Sequence, residues 1–159
     1  MDRMISPAPV RRSVTVKASQ QKAFEVFTSG FGRWWPASHS IGSSPLKTAV
    51  IEPRVGGRWY ETGEDGRECQ WGEVLAWEPP SRVLLAWRIG ADWKYDPQLL
   101  TEVEVRFVPL GEAGTRVELE HRLLENYGER AAATSERLDS EGGWQSLLAI
   151  YAKEAAAAA

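Results

Sequence analysis

From Val10 the chain alternates. Val10, Val14 and Val16 fall on one side and Arg11, Ser13, Thr15 and Lys17 on the other, the period of a strand with one buried face. Ser19 then has the chemistry of an N-cap, followed by a short helix with Ala23, Phe24 and Phe27 on one face. The aromatic segment SGFGRWWP stops at Pro36, and residues 37–45 read as a loop. Strand patterns recur at 46–53, 56–62, 68–78, 83–89, 100–109 and 115–121. Tight turns separate them: GEDGR by the Asp-Gly rule, PPSR, and GEAGT. Gly72 marks a bulge inside 68–78. Residues 128–138 predict a short exposed helix, and Ser140 a cap for the last one. In that last helix Trp144, Leu147, Leu148 and Tyr151 fall at i, i+3, i+4 and i+7.

This order predicts an α+β fold: a curved antiparallel sheet of six to seven strands, short helices after the first strand, and a long C-terminal helix. A sheet of hairpins with one apolar face needs a cover, and the final helix is the element long enough to give it. The 159 residues suit one domain, placed at 10–155 behind a loose arm at 1–9. A net charge of −3 argues against nucleic acid as a partner. No run nears the ~20 apolar residues of a membrane span, and the N-terminus lacks a signal-peptide core. The single cysteine, Cys69, forms no intrachain disulfide, which fits a cytoplasmic protein.

Eight tryptophans stand out. Alternation or helical spacing sends Trp59, Trp71, Trp87, Phe107, Trp144 and Leu148 toward the space between sheet and helix, with the phase of Trp71 depending on the Gly72 bulge. Phe31, Trp34 and Trp35 fall where the short helices form a mouth. Aromatic walls with a few polar groups are the usual form of a small-molecule site, and equally the content of a filled core. His121 shares the inward face with Val117 and Leu119, so it is the candidate to orient a ligand or act as acid or base. His39, in a Ser/Gly loop, is expected in solvent. His39, Cys69 and His121 are scattered without metal-ligand spacing, and no P-loop, GxSxG or dinucleotide fingerprint occurs. Neither a metal nor a cofactor is expected.

The segment PRVGGRWYETGEDGRECQWGEVLAWEPPSRVLLAW (53–87) resembles the signature of the SRPBCC (START/birch-pollen-allergen-like) superfamily. More narrowly it is similar to the branch related to the C-terminal domain of the activator of heat-shock protein 90 ATPase. GRWWP (32–36), LEHRLLENYGE (119–129) and GGWQSLLAIYA (142–152) match further landmarks in the same order, so the resemblance spans roughly residues 10–155. It implies a helix-grip, with a cavity between the sheet and the C-terminal helix. Members are described as lipid or sterol carriers, polyketide cyclases and aromatases, and co-chaperone domains. The full co-chaperone carries a separate N-terminal domain to which nothing in these residues corresponds. Three functions follow as expectations: binding of a small, largely apolar or aromatic molecule; a cyclase or hydrolase using His121; or a chaperone-associated module with a protein partner. A homodimer is compatible with each. Gly142 and Gly143 either let backbone approach closely or leave room beside Trp144.

Overall fold

The computed structural model describes residues 8–158; of the arm expected at 1–9, residues 1–7 lie outside the described residues. Seven strands form one antiparallel sheet: β1 (Val10–Val16), β2 (Leu46–Ile51), β3 (Arg58–Gly63), β4 (Glu68–Glu78), β5 (Arg82–Trp87), β6 (Thr101–Pro109) and β7 (Thr115–Arg122). Their order across the sheet is β1-β7-β6-β5-β4-β3-β2. From β2 to β7 each strand pairs with its chain neighbour, so β1 and β2 end at opposite edges. The chain between those edges runs through α1 (Gln20–Phe27) and α2 (Phe31–Trp34), and α3 (Ala131–Leu138) and α4 (Trp144–Ala158) follow the last strand. The sheet and α4 form the expected helix-grip.

Local chemistry explains the elements. The Ser19 side chain accepts the Lys22 N–H and caps α1, which buries Ala23, Phe24, Val26 and Phe27. The α4 stripe buries Trp144, Leu147, Leu148, Tyr151 and Ala155 against β1, α1 and α2. The β3–β4 register slips between Trp59↔Gly72 and Tyr60↔Gln70, so Trp71 is the extra residue of a bulge. That bulge turns Trp71 inward beside Trp59 (ring centroids 5.3 Å apart). Glycine is required next to it, because a Cβ at Gly72 would overlap the carbonyl oxygen of Ala86. The outer face of the sheet is polar and largely self-neutralised: Glu104 pairs with Arg82, Arg106 and Arg122, and Arg122 also reaches Glu102 and Glu120.

Two local expectations need correction. The segment predicted as one exposed helix at 128–138 divides into a 3₁₀ stretch, Leu124–Arg130, and α3, which buries Ala131, Thr134 and Leu138. Ser140 does not cap α4. Its hydroxyl donates to the Arg137 carbonyl (2.6 Å) and closes α3 instead, while the Gly143 N–H bonds the Ser140 carbonyl (2.9 Å).

The two glycines ahead of α4 do different things. A Cβ at Gly143 would collide with backbone atoms of Leu138 and Arg137, so this glycine lets α4 start directly against the end of α3. A Cβ at Gly142 would meet nothing within 4 Å. Gly143→Ala is therefore expected to destabilise the fold by about 1–3 kcal/mol, the usual cost of overpacking. Gly142→Ala should stay within about 0.5 kcal/mol, as surface substitutions do. Chemical denaturation of the two variants side by side checks the contrast.

Candidate functional site

The mouth of the helix-grip opens into a cavity of about 520 Å³. Its floor is formed by four almost fully buried indoles (0–6% exposed) from four parts of the chain. Trp35 follows α2, Trp71 sits at the β4 bulge, Trp87 ends β5, and Trp144 begins α4. They interlock edge to face or tilted, with centroids 5.0 Å apart for Trp35–Trp71, 5.6 Å for Trp87–Trp144 and 6.1 Å for Trp35–Trp144. The rim is polar. It comes from residues 38–41, from the tip between β5 and β6 (Asp92, Trp93, Lys94), and from Arg137, Ser140 and Gly142 around the α3–α4 turn.

His121 stands behind this wall and does not line the cavity. It is fully buried. The Trp144 indole N–H donates to its Nδ1 (3.0 Å), so Nδ1 carries no proton. The proton sits on Nε2, which donates to the Thr101 hydroxyl (2.9 Å), and that hydroxyl donates to the Trp87 carbonyl (2.7 Å). Burial pushes the imidazole pKa down to about 3. Both nitrogens are thus engaged inside the protein and the ring is neutral. The expected acid, base or ligand-orienting group acts as a positioning residue: it fixes Trp144 against Trp87.

The other expected site residues divide in the same way. Trp35, Trp71, Trp87 and Trp144 line the cavity, whereas Phe31, Trp59, Phe107 and Leu148 do not. Phe31 stacks on Trp35 (4.9 Å, 24°) and supports the wall from behind. Trp59 fills the space between Phe31, Trp71 and Trp87. Phe107 belongs to the far end of the core, with Phe24 and Phe27. His39, expected in solvent, is half-buried on the rim. Its Nε2 lies 2.7 Å from the Gly142 carbonyl and its Nδ1 lies 3.0 Å from the Ser38 hydroxyl, which joins the 38–41 loop to the start of α4.

Glu61 is the residue that sequence reasoning missed. Its buried carboxylate accepts the Trp71 indole N–H (3.0 Å) and the backbone N–H groups of Ile41 (2.7 Å) and Gly42 (3.3 Å). One carboxylate thereby ties a cavity wall to the loop of the mouth. Alternation carried the signal, since Glu61 has the same parity in β3 as the inward Trp59. Cys69 pairs with Glu61 across the strands, and burial together with that carboxylate raises the thiol pKa, which keeps it protonated. Among the described residues no three His, Cys, Asp or Glu side chains cluster as metal ligands would. No helix among them is long and apolar enough to cross a membrane.

Residues 17–154 match the family described as activator of Hsp90 ATPase homolog 1-like protein. The chain belongs to this family. Among solved structures it is 42% identical to an anthrahydroquino-gamma-pyrone synthase, Txn09, complexed with SUM, covering 93% of this chain and 97% of that one with a TM-score of 0.65. It is 32% identical to CalC, a self-sacrificing resistance protein from Micromonospora echinospora, covering 93% and 94% with a TM-score of 0.70. An HSP90 activator from Plasmodium falciparum shares the fold at 18% identity, covering 73% of each chain with a TM-score of 0.51. No curated protein matches the sequence.

Proposed function

We propose that this family member binds a flat, largely apolar aromatic molecule in the four-indole cavity. The observation that carries the reading is the wall itself: Trp35, Trp71, Trp87 and Trp144 converge on a space within the ~300–1,000 Å³ usual for small-molecule sites. The anthrahydroquino-gamma-pyrone in the name of the 42% identical synthase is a fused-ring skeleton, which suits a ligand of this shape.

Geometry favours binding over acid–base work by His121, whose nitrogens are spent on Trp144 and Thr101. The ionisable groups that line the cavity are His39, Asp92, Lys94 and Arg137, all on the rim. A chaperone-linked role has the family description and a fold-level likeness behind it, and no feature of this cavity.

Calorimetric titration with tricyclic aromatic probes such as anthraquinone derivatives, alongside native mass spectrometry of the purified protein, tests the reading. One-to-one binding is expected, and Gly142→Phe, which builds into open space on the cavity lining, should weaken it by more than about tenfold, or 1.4 kcal/mol. Unchanged binding in that variant would place the ligand elsewhere.

A further inference from the structure

We propose that the ligand is an anion as well as an aromatic, and that Lys94 and Arg137 at the mouth hold its negative group, a carboxylate or an ionised phenol. This rests on the binding reading above and specifies its ligand class.

Across the described residues most arginines are matched to carboxylates. Arg33, Arg130 and Arg137 are the arginines with no ion-pair partner among those residues. Two of these, Arg130 and Arg137, are spaced by seven residues and border one groove beside Ala91 and Trp93. Arg137 also lines the aromatic cavity. Lys94, likewise without an ion pair there, lines the same cavity, next to Trp93, which shares the groove with Arg137. Asp92 is the opposing charge on the rim, and its Oδ1 accepts the Lys94 backbone N–H (3.1 Å). Two cations against one carboxylate leave the mouth at +1, on a chain whose net charge is −3.

The segment that carries Lys94 is held in place. Its Gly90 N–H bonds the Lys94 carbonyl (2.8 Å), its Trp93 N–H bonds the Gly90 carbonyl (2.9 Å), and Arg88 below it donates to the carbonyls of Pro97 (3.2 Å) and Leu99 (3.3 Å). Those bonds keep Trp93 at φ 62°, a left-handed conformation that a bulky residue adopts only under constraint. Trp93 is 39% exposed yet lines the cavity, so the constrained backbone sets an indole at the entrance beside the two cations. A planar acid entering the four-indole wall would leave its charged edge at this rim, where the cations are still solvated and no burial of charge is needed.

The test compares anthracene-2-carboxylate with its methyl ester, which has the same ring system and no charge. Each is titrated into the protein and into the double variant Lys94→Gln/Arg137→Gln, which keeps polar stems at exposed positions. The acid is expected to bind the native protein about tenfold more tightly than the ester at low salt, as two partly screened contacts allow. That preference should shrink toward nothing at ~1 M salt, where screening acts within ~3 Å, and should vanish in the double variant, where acid and ester bind alike. Equal affinity for acid and ester in the native protein would overturn the anion proposal while leaving the aromatic cavity standing. So would a preference that survives the double substitution. If neither probe binds, the cavity reading falls and this inference falls with it.

Discussion

Stability is expected to drop about tenfold in the folding equilibrium for each pH unit below about 6, because of His121. Its folded pKa, near 3, lies below the ordinary value of 6.5. The unfolded chain therefore takes up the proton first. The contribution of this group is complete above pH 6.5, is lost as pH falls, and levels off near 3, where the folded form protonates too. Carboxylates such as Glu104 and Glu120, whose pKa values are lowered, titrate below their ordinary 4.5, so the window between about 6.5 and 5 reports on the histidine. His121→Gln keeps an acceptor for Trp144 and a donor for Thr101 but does not titrate, and it should flatten the slope in that window. His121→Ala should cost about 3 kcal/mol or more, since it orphans the buried Trp144 N–H, removes the donor to the Thr101 hydroxyl and opens a cavity. Urea midpoints across the pH range separate the outcomes: a slope unchanged in the Gln variant would assign the acid sensitivity to another group.

The second large effect is expected at Glu61. Replacing it by alanine leaves three N–H donors, those of Ile41, Gly42 and Trp71, without their acceptor. Each orphaned donor costs about 1–3 kcal/mol when it stays buried, so a loss of about 3 kcal/mol is a lower expectation. Part of the strain should relieve itself by release of the 40–45 loop. Amide hydrogen exchange at Ile41 and Gly42 should then accelerate far more than in the sheet. Glu61→Gln should fall between, because its amide NH₂ group opposes one of the donors. Uniform acceleration over the whole sheet would instead mark Glu61 as a general stability residue with no special hold on the mouth.

How much of this was legible in the sequence depended on periodicity. The alternation of Val103, Val105 and Phe107 and the helical stripe Trp144, Leu147, Leu148, Tyr151 prescribe a one-faced sheet and its covering helix, and both are found. Periodicity assigns a face but not a position along it. Phe107 and His121 share the inner face with Trp87, yet Phe107 packs under α1 at one end and His121 lies behind the wall at the other. That is why the expected aromatic set divides into cavity wall and filled core. The rim was unreadable for a different reason. Residues 38–41, 92–94 and 137–142 are brought together by long-range contacts such as His39 with Gly142, and no local pattern encodes those. Glu61 was readable in principle, as a carboxylate in an inward register.

The central claim is that an aromatic ligand enters the four-indole cavity. Its most direct test is the indole N–H spectrum of ¹⁵N-tryptophan-labelled protein, in which eight tryptophans give one signal each. On addition of anthracene-2-carboxylate, the signals of Trp35, Trp71, Trp87 and Trp144 should move together, while that of Trp77, which packs on Phe24 away from the cavity, should hold still. Stationary signals for the four wall residues, or a shift at Trp77 as large as theirs, would contradict the account.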